Sequence, residues 1–308
     1  MKTKKLLLIA LSSLTLMSCK FNYKVKSDFT YKDDNVIIVD NLEQVENKKA
    51  HVVLLYGQSN ADGVSHNEYL ERNDSAKYTE YLAGYDNVRI NFYNDGGNNS
   101  SSYAFQKITL GCGCAPTTFG PEMGMADIFS KQYPDEETFI IKWTWGGTTL
   151  ANQWLNGVMG RGDLYNSAMD FSLKCLSYLK DKGYLLSMDG ICWMQGENDS
   201  CYSLFAPQYY KNTCAFVALL RHDLSEYSKE IRFVDAGINE EEDIWPRPKE
   251  INEAKKKFAN ESKLNIYIDP TELGLTAKQE PEGQVDYAHF DSLSMVKLGQ
   301  EFGKECAK

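Results

Sequence analysis

The feature that most constrains the fold is a set of short runs that are apolar at nearly every position. HVVLLY at His51 to Tyr56 and FIIKW at Phe139 to Trp143 are such runs, and ICWM closes a third that begins at Met188 and ends at Met194. A strand with one wet face alternates; a run apolar on both sides is covered on both faces, as strands of a parallel sheet are. Weaker strand signals lie at Val88 to Tyr93, Ile231 to Asp235 and Leu264 to Asp269. Helical patterns separate them. Gly120-Pro121 opens a helix through about Gln132, with Pro121 suited to the first helical position. Leu164 to Lys182 carries apolar residues at Ala168, Met169, Leu173, Leu176 and Leu179, with Gly183 at the expected C-cap. Further helices are predicted at Pro207 to about His222, Pro248 to Asn260 and Ser292 to Lys304. This alternation predicts an α/β domain, a three-layer α/β/α sandwich around a central parallel sheet. Ligands of such sheets bind at the carboxyl ends of the strands.

The first residues read as an address. Lys2, Lys4 and Lys5 precede an apolar stretch, Leu6 to Leu16, that is short for a membrane span. Leu16-Met17-Ser18-Cys19 resembles a bacterial lipobox, so residues 1–19 are expected to be a lipoprotein signal peptide with Cys19 lipidated. Residues 20–49 form a polar tether and edge segment, and 50–308 a single domain with no linker dividing it. The expected location is the bacterial cell envelope, periplasmic or outer-membrane surface, with the lipid anchor as the chain's one membrane contact. A net charge of −10 argues against nucleic acid as a partner. Of eight cysteines, seven remain beside Cys19: Cys112, Cys114, Cys175, Cys192, Cys201, Cys214 and Cys306. Export permits disulfides, but an odd number leaves one thiol over. Cys112-Gly-Cys114 has no second pair at zinc spacing, so no metal site is expected.

Three motifs follow predicted strands. Ser59, in Gly57-Gln58-Ser59-Asn60, ends the first strand where a turn into helix exposes a hydroxyl and leaves a backbone N–H for an oxyanion. Gly146-Gly147-Thr148 follows FIIKW and offers a second N–H that no side chain blocks. Gln195, in Trp193-Met194-Gln195-Gly196-Glu197, offers an amide as a third donor. Of the four histidines, His51 begins a strand, His222 ends a helix and His66 lies near a rim. His289 sits three positions after Asp286 in a loop, a spacing that lets the carboxylate turn back onto the imidazole.

GQSN at Ser59, FGPE at Phe119 to Glu122, WGGT at Trp145 to Thr148, WMQGEND at Trp193 to Asp199 and DYAHF at Asp286 to Phe290 occur in one order. Together they resemble the SGNH hydrolase superfamily, and within it the sialate O-acetylesterase and acetylxylan esterase group. The resemblance implies a flavodoxin-like sandwich and ester hydrolysis without metal or cofactor. It makes Ser59 the nucleophile, His289 the base and Asp286 its partner, with Ser59 N–H, Gly146 N–H and Gln195 as the oxyanion hole. Glu197 remains an alternative acidic member. The chain departs from the group at Ala61-Asp62-Gly63, where methionine and a small residue are usual; Asp62 is therefore expected to alter the pocket floor.

The implied activity is removal of acetyl groups from a carbohydrate, with O-acetyl sialic acid and xylan-type polysaccharide equally open. Trp154 and Trp245, in loop-like segments, are the candidate sugar platforms. Two rival readings remain: a carbohydrate-binding surface lipoprotein without catalysis, and an esterase of other acyl specificity.

Overall fold

The computed structural model describes residues 36–156, 160–241 and 243–308. The expected signal segment, Cys19 and most of the tether lie outside the described residues. Among the described residues no helix is long and apolar enough to cross a membrane.

Eight strands form the main sheet: β1 (Lys48–Gly57), β2 (Tyr85–Asn94), β3 (Asn99–Ser100), β4 (Gln106–Ile108), β5 (Glu137–Thr144), β6 (Tyr184–Met194), β7 (Phe233–Ala236) and β8 (Asn265–Ile268). Their order is β8-β7-β6-β1-β5-β2-β3, with β4 also on β2. The central pairings are parallel, and β3 and β4 add an antiparallel edge. The helices that matter for the site are α1 (Ser59–Asp62), α2 (Glu122–Gln132), α3 (Asp163–Asp181), α4 (Glu197–Ser200), α5 (Tyr209–Asp223), α6 (Pro248–Ala259) and α7 (Ser292–Cys306).

Both faces of the sheet are covered, which is why its central strands are apolar throughout. On β6, Trp193 packs against Phe216 of α5 with ring centroids 4.6 Å apart. Its neighbour Cys192 points to the other face, where its sulfur lies 3.6 Å from that of Cys306 on α7. All seven described cysteines are free thiols, four of them buried. The parallel ladders bring the strand ends level: Gly57 pairs with Met194 and Thr144, and Thr144 with Asn94. Four adjacent strands thus end along one edge.

A charged pair holds that edge together. Lys142 is the polar residue of FIIKW and is fully buried, as is Glu122. The Lys142 ammonium donates to Glu122 Oε2 (2.9 Å), to the Asp62 carbonyl (2.8 Å) and to the Cys112 carbonyl (2.7 Å). Glu122 Oε1 accepts the Gly120 N–H at 2.7 Å. The three protons of the ammonium therefore each have an acceptor, as a buried charge requires.

His51 sits at the opposite end of β1. Its ring nitrogens meet Asp189 Oδ2 (2.7 Å) and Glu136 Oε2 (3.0 Å), and it stacks on Tyr133 at 3.5 Å. Burial lowers its pKa, but the two carboxylates outweigh burial and the net is above the ordinary 6.5.

Two outcomes follow from these contacts. Lys142→Met leaves Glu122 buried without its cation and is expected to cost about 3–5 kcal/mol in urea unfolding, with part restored by adding Glu122→Leu. The stability His51 contributes is complete below its unfolded pKa and lost as pH rises through the raised folded value. The Tm gap between wild type and His51→Gln should therefore be wider at about pH 6 than at about pH 9.

Candidate active site

Gly57 ends β1 with φ +146, and a Cβ on it would lie 2.0 Å from the Met194 carbonyl oxygen. Glycine alone lets the chain turn there. The Gln58 N–H donates to Met194 O at 2.9 Å, and its carbonyl accepts the N–H groups of Ala61 and Asp62, both at 2.8 Å. Ser59 is thereby the first residue of α1. The N–H groups of a first helical turn have no acceptor within the helix, so that of Ser59 is left for a partner outside it.

Gly146 follows β5. A Cβ built on it would lie 3.8 Å from Ser59 Cβ and 3.2 Å from Asp62 Oδ2. Gly146 thus faces Ser59 with only hydrogen between them, and its N–H donates to no atom among the described residues.

The Asp286–His289 loop closes the other side. His289 Nδ1 meets Asp286 Oδ2 at 2.6 Å, while Asp286 Oδ1 accepts the N–H groups of Ala288 (2.9 Å) and His289 (3.0 Å). Tyr287 makes this return possible by adopting φ +57, an uncommon conformation for a bulky residue. Burial raises the Asp286 pKa, but the imidazole and the two N–H groups win, and the carboxyl is held below its ordinary value. An ionised Asp286 places the ring proton on Nδ1, leaving Nε2 as the basic nitrogen.

Asn60, beside the serine, pins this loop. Its Nδ2 donates to the Ala288 carbonyl (3.2 Å), and its Oδ1 accepts the Phe290 N–H (3.1 Å). Ser65 Oγ adds a bond to Phe290 O at 2.8 Å. His289 is thus held between two peptide groups that Asn60 grips. The same Nδ2 also donates to Glu197 Oε1 at 2.9 Å. The structure accordingly pairs His289 with Asp286 and gives Glu197 to Asn60.

Gln195 differs from expectation. It is fully buried, and its amide nitrogen donates to Thr148 O (3.0 Å) and Asp199 Oδ2 (2.7 Å). Asp199 also accepts the N–H groups of Leu150 (2.7 Å) and Ala151 (3.2 Å), and Asn198 Nδ2 donates to Gly147 O at 2.5 Å. The amide expected to meet an oxyanion instead fastens the loop that carries Gly146.

Trp154 is corrected as a sugar platform. It is fully buried, edge-on to Trp193 at 4.9 Å, with Nε1 donating to Thr148 Oγ1 at 3.2 Å. The segment Leu150–Trp154 coils inward and buries the ring in the core. Trp245 lies by the site, packed with Ile244 and Ala288, and its Nε1 has no hydrogen-bond partner. Asp62, expected at the pocket floor, has its carboxyl beside Gly146: it is 2 % exposed and its Oδ1 has no hydrogen-bond partner. Burial raises its carboxyl to about 7, against the opposing pull of Thr144 and Lys142, and the Asp95 charge adds to the rise. Sequence reasoning left Asn60 and Asp95 without roles. Asn60 was visible in GQSN, and Asp95 follows a strand end as the other site residues do.

Asp62 is expected to titrate near 7 in a carboxyl-detected NMR titration, with Asp286 below the ordinary 3.8, each assigned by its Asn variant. Because the unfolded chain releases the Asp62 proton at lower pH than the folded chain, stability falls between those two values as pH rises. Asp62→Asn should remove that part of the pH dependence.

No curated protein matches this sequence, but solved structures do. A protein from Arabidopsis thaliana superposes with a TM-score of 0.59 at 16% identity, covering 83% of this chain and 97% of its own. NanS gives 0.59 at 14% identity, covering 85% and 98%. A carbohydrate acetylesterase from Xanthomonas citri gives 0.52 at 12% identity, covering 83% of this chain and 55% of its own. At such identities the likeness establishes the shared α/β fold. The match that extends over sequence is to a family model spanning residues 49–308, and by it the chain belongs to the carbohydrate esterases described as sialic acid-specific acetylesterases.

Proposed function

We propose that this esterase removes acetyl groups from carbohydrate by a serine mechanism. The observation that carries the reading is one convergence: Ser59 opposite Gly146, with the Asp286–His289 pair pinned by the residue next to the serine. Membership of a carbohydrate esterase family supplies the substrate class.

In this mechanism Ser59 Oγ attacks the ester carbonyl carbon while His289 Nε2 takes its proton. Asp286 holds the ring tautomer and stabilises the imidazolium. Negative charge on the carbonyl oxygen meets the N–H groups of Ser59 and Gly146. His289 returns the proton to the departing sugar oxygen, leaving an acetyl group on Ser59. A water, deprotonated by His289, then releases acetate. Gln195, Asp199 and Asn198 act through the loop they hold. The reading includes an export signal and lipid anchor at Cys19, placing the enzyme in the cell envelope, supported by the Lys2 to Cys19 pattern.

Ser59→Ala and His289→Ala should fold as wild type by circular dichroism and lose acetate release by a factor on the order of 10³ or more. Asp286→Asn should lose less. Undiminished hydrolysis by Ser59→Ala would sink the mechanism; sugar binding without turnover by wild type would favour a binding protein instead.

A further inference from the structure

The side of the site formed by Gly146 carries two carboxyl groups that the reaction does not use. A methyl-sized group on Gly146 would lie 3.2 Å from Asp62 Oδ2 and 3.9 Å from Asp95 Oδ1, with Ser59 Cβ at 3.8 Å. Asp62 comes from the turn after Ser59. Asp95 follows β2, its φ of +43 tolerable for an aspartate. Asp62 Oδ1 is buried without a hydrogen-bond partner, an uncommon and costly state for a carboxyl oxygen. Neither buried lysine behind the site hydrogen-bonds this oxygen. Lys142 bonds Glu122 and two carbonyls, and Lys255 is paired with Asp235 and the Ala236 carbonyl.

We propose that Asp62 and Asp95 determine specificity, accepting hydroxyl hydrogens of a neutral acetylated sugar and excluding a sugar that carries its own carboxylate. The inference rests on the carbohydrate acetylesterase reading and names its substrate class. Ser59 Cβ and both carboxyls thus lie within 3.9 Å of one point beside Gly146, so a sugar whose ester meets Ser59 stands on the side that carries them. A carboxylate on the same sugar becomes a third negative charge in a site poorly screened by water. A neutral sugar adds no such charge, and its hydroxyls are donors, which Asp62 Oδ1 lacks. The family description names sialic acid, an anionic sugar; this pair turns the present chain toward uncharged ones. Burial raises the Asp62 carboxyl to about 7, so its share of the exclusion grows as pH rises through that value.

The test compares kcat/KM at about pH 8 on three acetate esters: an O-acetylated xylo-oligosaccharide, an O-acetyl sialic acid, and the methyl ester of that same sialic acid. Wild type should hydrolyse the methyl ester roughly tenfold faster than the free acid, a gap that narrows in high salt. Asp62→Asn and Asp95→Asn should each shrink the gap. Free acid hydrolysed as fast as its methyl ester, or a gap untouched in both variants, would overturn the proposal while leaving the esterase intact. Failure on every acetylated sugar would overturn the acetylesterase reading and this inference with it.

Discussion

The structure depends on one buried ammonium. Lys142 lies on a strand buried from Thr138 to Thr144, and it is placed where three separate segments must meet. Its protons go to the end of the serine turn, to the Cys112 loop and to Glu122 of FGPE. Hydrophobic contacts are tolerant of small slides and rotations. A charge with three fixed acceptors is not, because any displacement leaves a proton unmatched in a medium that cannot replace it with water. The pair thus contributes less to net stability than to the position of the turn holding Ser59.

A second buried network does the same on the far side of Ser59. Gln195, Asn198 and Asp199 follow β6, and their bonds run to the backbone of the loop after β5. Asn60 runs from the serine turn to the histidine loop. The groups that would touch substrate are therefore few, and each is carried on a loop whose backbone is tied by a neighbour's amide or carboxylate. Parallel ladders ending level at Gly57, Thr144 and Met194 make such short ties sufficient.

The fold was legible because its signal is redundant. Each helix and central strand is specified by many positions at once, and every predicted element lies within a few residues of the observed one; β1 begins at Lys48, ahead of the expected His51. The Asp286–His289 pair was legible because its contact is local in sequence. Directions of single side chains were not. Gln195 stands at a strand end like a site residue, yet Asp199, one helical turn on, and Thr148 draw its amide away from the pocket. Trp154 lies in a segment with polar neighbours, yet a single turn carries its ring onto Trp193. Neither outcome follows from spacing, since both depend on what a distant strand presents. Asp95 was missed for a related reason: its partners, Gly146 and Asp62, come from other strand ends.

Asp62 joins these two levels in one residue. Its carbonyl belongs to the scaffold, bonded to Lys142 at 2.8 Å, while its carboxyl stands beside Gly146 and Ser59. Any residue at this position can supply the carbonyl, so the anchoring of the turn places no demand on the side chain. The side chain is then free to carry a property the scaffold does not need. A carboxyl buried to 2 % exposure with one oxygen unpartnered is a poor choice for stability. Its presence is understandable when the missing partner is a hydroxyl that arrives with the substrate, and selectivity is then gained from the same desolvation that makes the empty site costly.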